Sequence, residues 1–169
     1  MSDTPSPGLR VGLGYDIHRL YDGEPLVLGG VTVPSSRGFR THSDGDVLCH
    51  ALVDALAGAI ADGDLGTHFP EDDPAAEDAF SLDFVAQFSR RLRERGYAVT
   101  SVDSFVVIGT VRLRPYLEAM RTNLAAALEV DRVAVSVKAR SNDGIGAEGE
   151  GAAASATAVV LVARASAQG

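Results

Sequence analysis

The stretch Thr41–Gly66, THSDGDVLCHALVDALAGAIADGDLG, constrains the fold more than any other part of the chain. It holds two of the four histidines and five aspartates. His42-Ser43-Asp44-Gly45-Asp46 is dense in residues that make turns and cap helices. From Val47 onward alanine, leucine, valine and isoleucine dominate, with no proline, until Asp62-Gly63-Asp64 ends the run. The pattern predicts a helix from Val47, with Ser43 or Asp44 capping its first turn. Asp46, His50 and Asp54 are four residues apart and so lie along one helix face. An apolar helix with one polar stripe either aims that stripe at a site or satisfies it inside the core, and this stretch alone leaves both open.

A second group lies upstream. Gly12-Leu13-Gly14-Tyr15-Asp16-Ile17-His18 continues an apolar run that starts near Leu9. On a strand, residues two apart project to the same side, so Asp16 and His18 point together. With His50 they supply one carboxylate and two imidazoles, the ligand count of a catalytic zinc site with its fourth position open. A structural zinc is closed by four ligands, often cysteines. The sole cysteine, Cys49, is turned away from the His50 direction by roughly 100° on a helix.

Several motifs then combine. Gly14-Tyr15-Asp16-Ile17-His18, Gly29-Gly30-Val31, His42-Ser43-Asp44-Gly45-Asp46-Val47 with His50-Ala51-Leu52 and Asp54-Ala55, Gly63-Asp64-Leu65-Gly66 and Phe69-Pro70-Glu71-Asp72-Asp73-Pro74 resemble the 2-C-methyl-D-erythritol 2,4-cyclodiphosphate synthase family. These are the ring-closing enzymes of the non-mevalonate isoprenoid pathway. The resemblance runs from about Arg10 to Ala163 and is most specific in the N-terminal half. It implies an α+β, ferredoxin-like subunit with a mixed sheet and helices on one face, assembled as a homotrimer with active sites between subunits. It also implies a cytidine diphosphate substrate, 4-diphosphocytidyl-2-C-methyl-D-erythritol 2-phosphate, which is cyclised with release of CMP.

The family's functional residues map onto this chain one by one. The resemblance implies zinc on Asp16, His18 and His50, with Asp54 orienting a zinc-bound histidine. His42, the transition-state stabiliser, and Ser43 would hold the attacking 2-phosphate. Asp16, Ile17 and His18 would border the substrate. Asp64, Leu65 and Gly66, with Phe69, Pro70, Glu71, Asp72 and Asp73, would meet the methylerythritol or ribose hydroxyls. From a neighbouring subunit, Ile108–Arg114 would wrap the cytosine and diphosphate, with Arg112 where many relatives have lysine.

The sequence departs from the common family pattern after Lys138-Ala139. Many relatives read Thr-Thr-Thr-Glu there, whereas this chain reads Arg140-Ser141-Asn142-Asp143-Gly144, with a shorter following loop. In that alignment Ser141 is the catalytic hydroxyl donor to the diphosphate. Asp143 takes the glutamate's role as ligand of magnesium or manganese, and Arg140 and Asn142 complete the contact. The phenylalanine and arginine that line a prenyl-diphosphate pocket in some members have no counterpart, so no such pocket is expected. Glu150, between Gly149 and Gly151, matches the family's Gly-Glu-Gly and is expected near the three-fold axis.

Composition sets limits. The formal charge is −8, with no basic stripe, which argues against nucleic acid. The same charge would repel a phosphorylated ligand, so metals and local arginines must reverse the field in the site. No apolar run suggests a membrane span, and Met1–Gly8 lacks the features of a secretory signal. One cysteine suits the cytoplasm. The expected organisation is a disordered tail over 1–8, one catalytic domain over 9–165 and a short tail over 166–169.

The remaining chain reads as alternating elements. Leu9–Tyr15 is a strand, and Leu26–Val33 a hairpin around Gly29-Gly30. Pro34–Arg40 is a loop, and His68 a structural or exposed residue. Ser81–Arg95 is an amphipathic helix capped by Ser81 and stopped by Gly96. Tyr97–Ile108 is a strand. A helix starting at Pro115 carries Leu117, Met120, Leu124 and Leu128 on one side. Val133, Val135 and Val137 alternate as a half-buried strand, Arg140–Gly151 is a loop, and Ala153–Ala163 is the last strand. Two other readings stay open: a zinc phosphohydrolase using the same three ligands, and a binding protein that has lost turnover through the altered 140–143 segment.

Overall fold

The computed structural model describes residues 8–41, 43–70 and 80–165. His42, Glu71, Asp72 and Asp73, and the two expected tails apart from Gly8, lie outside the described residues.

The architecture is α+β, built on a five-stranded mixed sheet. Its strands are β1 (Leu9–Asp22), β4 (Arg37–Phe39), β5 (Tyr97–Val107), β6 (Val135–Arg140) and β7 (Ala153–Arg164), in the order β4-β1-β7-β5-β6. Only the β5–β6 pair is parallel; the others are antiparallel. A separate hairpin pairs β2 (Val27–Leu28) with β3 (Val31–Thr32). Gly29 and Gly30 form its turn with φ of 56° and 67°, the positive values that a tight hairpin needs and that glycine adopts without cost.

Helices α1 (Val47–Ala59), α3 (Ser81–Glu94) and α4 (Leu117–Leu128) form the other layer, with short α2 (Leu65–His68) and α5 (Gly146–Gly149) in connections. Helix α1 is buried almost all round, which explains why its alanines and leucines do not form a narrow stripe. It packs on β1 at Gly12 and Gly14, where a Cβ would stand 1.8 and 1.9 Å from the carbonyl oxygens of Ala55 and Ala51. Two glycines thus let helix and strand meet backbone to backbone. Phe88, Leu92, Met120 and Leu124 extend the core beneath α3 and α4. The alternate positions of β1 face the other way: Leu9, Val11, Leu13, Tyr15 and Ile17 are between 42% and 68% exposed.

The elements expected from sequence are present, with local corrections. Strand β1 continues to Asp22 because β4, expected as plain loop, pairs with its end from Leu20 to Asp22. The cap of α1 is Asp46, not Ser43 or Asp44: its carboxylate accepts from the N–H groups of Leu48 and Cys49. The same carboxylate accepts from Gly30 N at 2.7 Å and from the Cys49 thiol, tying the hairpin to the helix. Ser81 is the first residue of α3 and makes no cap of its own; Asp44, 37 residues away, accepts from its N–H. Val133 is 86% exposed in a 3-10 turn, so the alternation of valines begins the strand two residues too early. The segment 140–151 contains a 3-10 turn and α5.

Candidate metal centre and active-site cleft

Asp16 and His18 project from β1 toward α1, as their spacing requires, and the glycine contact just upstream brings His50 alongside. Asp16 Oδ2 lies 3.2 Å from His18 Nε2 and 2.9 Å from His50 Nδ1. One ligand atom from each of the three residues lies within 4.8 Å of the others. Burial alone would raise the Asp16 carboxyl, but the His50 hydrogen bond, the His18 and His50 charges and the Ile17 N–H outweigh it, and the net direction is down. An anionic oxygen between two imidazoles is the donor set a divalent transition ion takes.

Each imidazole is held from behind. His18 Nδ1 meets the Gly45 carbonyl oxygen at 3.1 Å. A carbonyl can only accept, so Nδ1 carries a proton, and Nε2, which faces Asp16, is the nitrogen a bound ion would take. The His18 ring also stands edge-on to Phe39 and to His50. His50 is 7% exposed, and its Nε2 lies 3.0 Å from Ser81 Oγ. The residues present therefore fit a bound divalent ion in geometry and in chemistry.

Beside the cluster opens a cleft of about 460 Å³. Its walls include the expected residues Asp16, His18, Ser43, His50, Leu65, Gly66 and Phe69. Arg40, Thr41 and Phe84 also line it and were not anticipated. Phe84 stacks on Phe69 at 4.1 Å between ring centroids and makes the apolar wall. The Arg40 guanidinium lies over Tyr21 at 4.5 Å and donates to Glu24. Only the sequence position of Arg40, two before His42, could have suggested it.

The sequence matches the model of the YgbB family over residues 9–163. A 2-C-methyl-D-erythritol 2,4-cyclodiphosphate synthase of Salinibacter ruber is 52% identical over 131 residues, 78% of this chain and 83% of that protein. The synthase of Laribacter hongkongensis is 51% identical over 131 residues, 78% of this chain and 81% of its own. This chain belongs to the YgbB family. Solved structures agree with the assignment. A 2C-methyl-D-erythritol-2,4-cyclodiphosphate synthase structure superposes with a TM-score of 0.84 at 33% identity, over 90% of this chain and 99% of that one. A Plasmodium falciparum IspF structure in complex with CDP gives 0.82 at 28% identity, over 94% and 97%.

The other residues expected to act in this YgbB-family chain divide into two groups. Asp64 caps α2 next to the cleft-lining Leu65 without lining the cleft itself; its Oδ1 accepts from both the N–H and the hydroxyl of Thr67, which hold its carboxyl below the ordinary range. Ile17, on the face of β1 opposite Asp16 and His18, and Pro70 are exposed and neither lines the cleft; the Ile17 N–H donates to Asp16. Asp54 makes a contact other than the expected one: its Oδ1 accepts from Leu65 N at 2.7 Å and anchors the cleft wall at α2, and among the described residues it makes no hydrogen bond to His18 or His50. One turn beyond His50 it is about 6 Å further along the helix axis, beside α2. Burial raises its carboxyl, the Leu65 N–H opposes this, and the charges of Asp64 and Asp16 add to the rise.

Arg112, Arg140, Ser141, Asn142 and Asp143 form the second group, all exposed and none lining the cleft. Arg140 closes β6 and the others follow β5 or β6, which run in the direction of β1 and so finish at the same end of the sheet as His18. Strand β6 is three positions from β1, roughly 14 Å at the usual strand spacing. Asn142 and Asp143 sit at φ 55° and 50°, a tight polar turn at the surface.

Proposed function

We infer that this chain is a 2-C-methyl-D-erythritol 2,4-cyclodiphosphate synthase. It converts 4-diphosphocytidyl-2-C-methyl-D-erythritol 2-phosphate to 2-C-methyl-D-erythritol 2,4-cyclodiphosphate and CMP, a step of non-mevalonate isoprenoid biosynthesis. The observation that carries this is the convergence of Asp16, His18 and His50 beside a cleft, in a YgbB-family chain.

In the reaction a 2-phosphate oxygen bonds to the β-phosphorus, the bond from that phosphorus to the bridging oxygen breaks, and the electron pair leaves with CMP. Nucleophile and electrophile are anionic parts of one molecule. The protein's task is therefore folding the substrate and neutralising charge, without a covalent nucleophile. Asp16, His18 and His50 would hold zinc, which when bound supplies Lewis-acid charge to the phosphoryl oxygens. His42 and Ser43 take the 2-phosphate, His42 stabilising the transition state, while the backbone of Ile17, between Asp16 and His18, borders the substrate. Asp64 keeps Oδ2 for ribose hydroxyls. Leu65, Gly66, Phe69 and Pro70 shape the wall for the sugar, and Glu71, Asp72 and Asp73 extend it.

The remaining groups come from a second copy. The subunit is ferredoxin-like and assembles as a cytoplasmic homotrimer through the apolar face of Leu9, Val11, Leu13, Tyr15 and Ile17, which is too large to leave wet. A neighbouring copy then brings Arg112, Arg140, Ser141, Asn142 and Asp143 to the cleft. Its Ser141 would donate to the diphosphate, and its Asp143 would hold the magnesium or manganese that accompanies it.

Chelation tests the metal part. CMP release should stop when the protein is stripped with a chelator and return with zinc and magnesium; activity that survives complete removal contradicts it. Mixed subunits test the assembly. Refolding inactive His50→Ala and Asp143→Ala chains together should recover about a quarter of wild-type activity, because half-sites from different chains recombine in a ring. No recovery from verified mixed oligomers contradicts the shared site.

A further inference from the structure

The back of His50 is held by a two-residue chain that the cleft does not contain. Ser81 is fully buried at the start of α3. Its hydroxyl donates to Asp44 Oδ1, and its N–H donates to Asp44 Oδ2 at 3.1 Å. Both oxygens of Asp44 are thus taken by one serine. With its single proton committed to Asp44, Ser81 Oγ has only lone pairs left, and it lies 3.0 Å from His50 Nε2. It can accept there but not donate.

We propose that Asp44 and Ser81 are positioning residues that keep a proton of His50 on Nε2, so that a bound ion would take Nδ1 in place of the hydrogen bond this nitrogen makes to Asp16. The inference rests on the divalent-ion reading given above. Asp44 accepts, Ser81 passes the constraint on, and the ring is left one way to face Asp16. A histidine ligand whose far nitrogen is pinned loses little freedom on binding an ion, and its basicity rises. His18 obtains the same result from the Gly45 carbonyl. The two imidazoles are thus oriented by different nitrogens: His18 would bind an ion through Nε2 and His50 through Nδ1. The arrangement also makes the first residue of α3 part of the ion site, so the docking of α3 and metal occupancy are linked.

The test uses full-length wild-type protein, Ser81→Ala and Asp44→Asn. Zinc affinity is measured by competition with a chromogenic chelator, and cobalt(II) is loaded as a spectroscopic probe. Removing such a supporting group typically weakens metal binding roughly 10- to 100-fold. Ser81→Ala should show that loss, together with a changed cobalt absorption spectrum, while keeping the Ser81 backbone donation to Asp44. Asp44→Asn should weaken zinc binding in the same direction. A purely structural role would lower the melting temperature yet leave zinc affinity and the cobalt spectrum as in wild type, and that result overturns the proposal.

A measurement on wild type alone avoids any failure of a variant to fold. In the nitrogen-15 spectrum of the zinc-loaded protein, His50 should carry a slowly exchanging proton on Nε2. A proton on Nδ1 instead overturns the proposal while leaving metal binding intact. Failure of the wild type to take up zinc or cobalt overturns the ion reading and this inference together, so the two failures are distinguishable.

Discussion

Gly14 on β1 lies so close to Ala51 on α1 that a Cβ on the glycine would stand 1.9 Å from the Ala51 carbonyl oxygen. The obstacle is helix backbone, which cannot swing aside as a side chain would. Asp16 is two residues beyond Gly14, and His50 directly precedes Ala51, so this contact sets their separation. Gly14→Ala should cost about 3 kcal/mol by overpacking, seen as a lower denaturation midpoint. Its folded fraction should bind zinc more weakly, because α1 must move away from β1. A variant with wild-type midpoint and affinity would show that the close approach does not hold the site together.

His50→Ala removes one of three convergent ligand atoms and leaves Asp16 facing a gap. Zinc stoichiometry should fall toward zero, and cyclisation should drop about a hundred- to a thousand-fold, measured by metal analysis and CMP release on the same samples. Full activity with retained zinc would refute the ligand assignment.

Asp62 accepts from both Arg91 and Arg95 at 2.5 Å, joining the end of α1 to α3. Burial tends to raise its carboxyl, but the two arginines outweigh that and hold it below the ordinary range. A depressed folded value means the stabilisation is complete above the ordinary carboxylate range and is lost as pH falls through the folded value. Asp62→Asn should therefore lower stability by about 1 kcal/mol at pH 7, with the difference shrinking below pH ~4. Chemical denaturation of both proteins across this range checks it; a gap that widens in acid contradicts it.

Leu13 is 68% exposed in the middle of the apolar face of β1. Leu13→Asp would bury an unpaired charge in any assembly through that face, weakening it by about 3 kcal/mol or more. Analytical ultracentrifugation should show monomers, with CMP release lost and zinc still bound, because the ligands lie within one chain. A trimer of unchanged stability would remove this face from the interface.

The parts of the site that were legible in the sequence follow local geometry. Asp16 and His18 are two apart on a strand and His50 is near the start of a helix, so periodicity aimed them correctly. Asp54 extends the same stripe, yet one further turn carries it to Leu65 rather than to an imidazole. Asp44 and Ser81 were not legible as a pair, since a 37-residue separation leaves no period to read. Val133 misled because alternation alone does not distinguish a strand from the turn leading into it. The α+β class came with the family resemblance, and the single parallel pair β5–β6 is the crossover that the α4 connection requires.

The most direct measurement is the phosphorus-31 spectrum of 4-diphosphocytidyl-2-C-methyl-D-erythritol 2-phosphate incubated with the protein, zinc and magnesium. The account predicts CMP and a cyclic diphosphate rising in equal amounts, both abolished by chelator. CMP with an open-chain phosphate product would contradict cyclisation and point to hydrolysis, and unchanged substrate from metal-loaded, assembled protein would contradict turnover altogether.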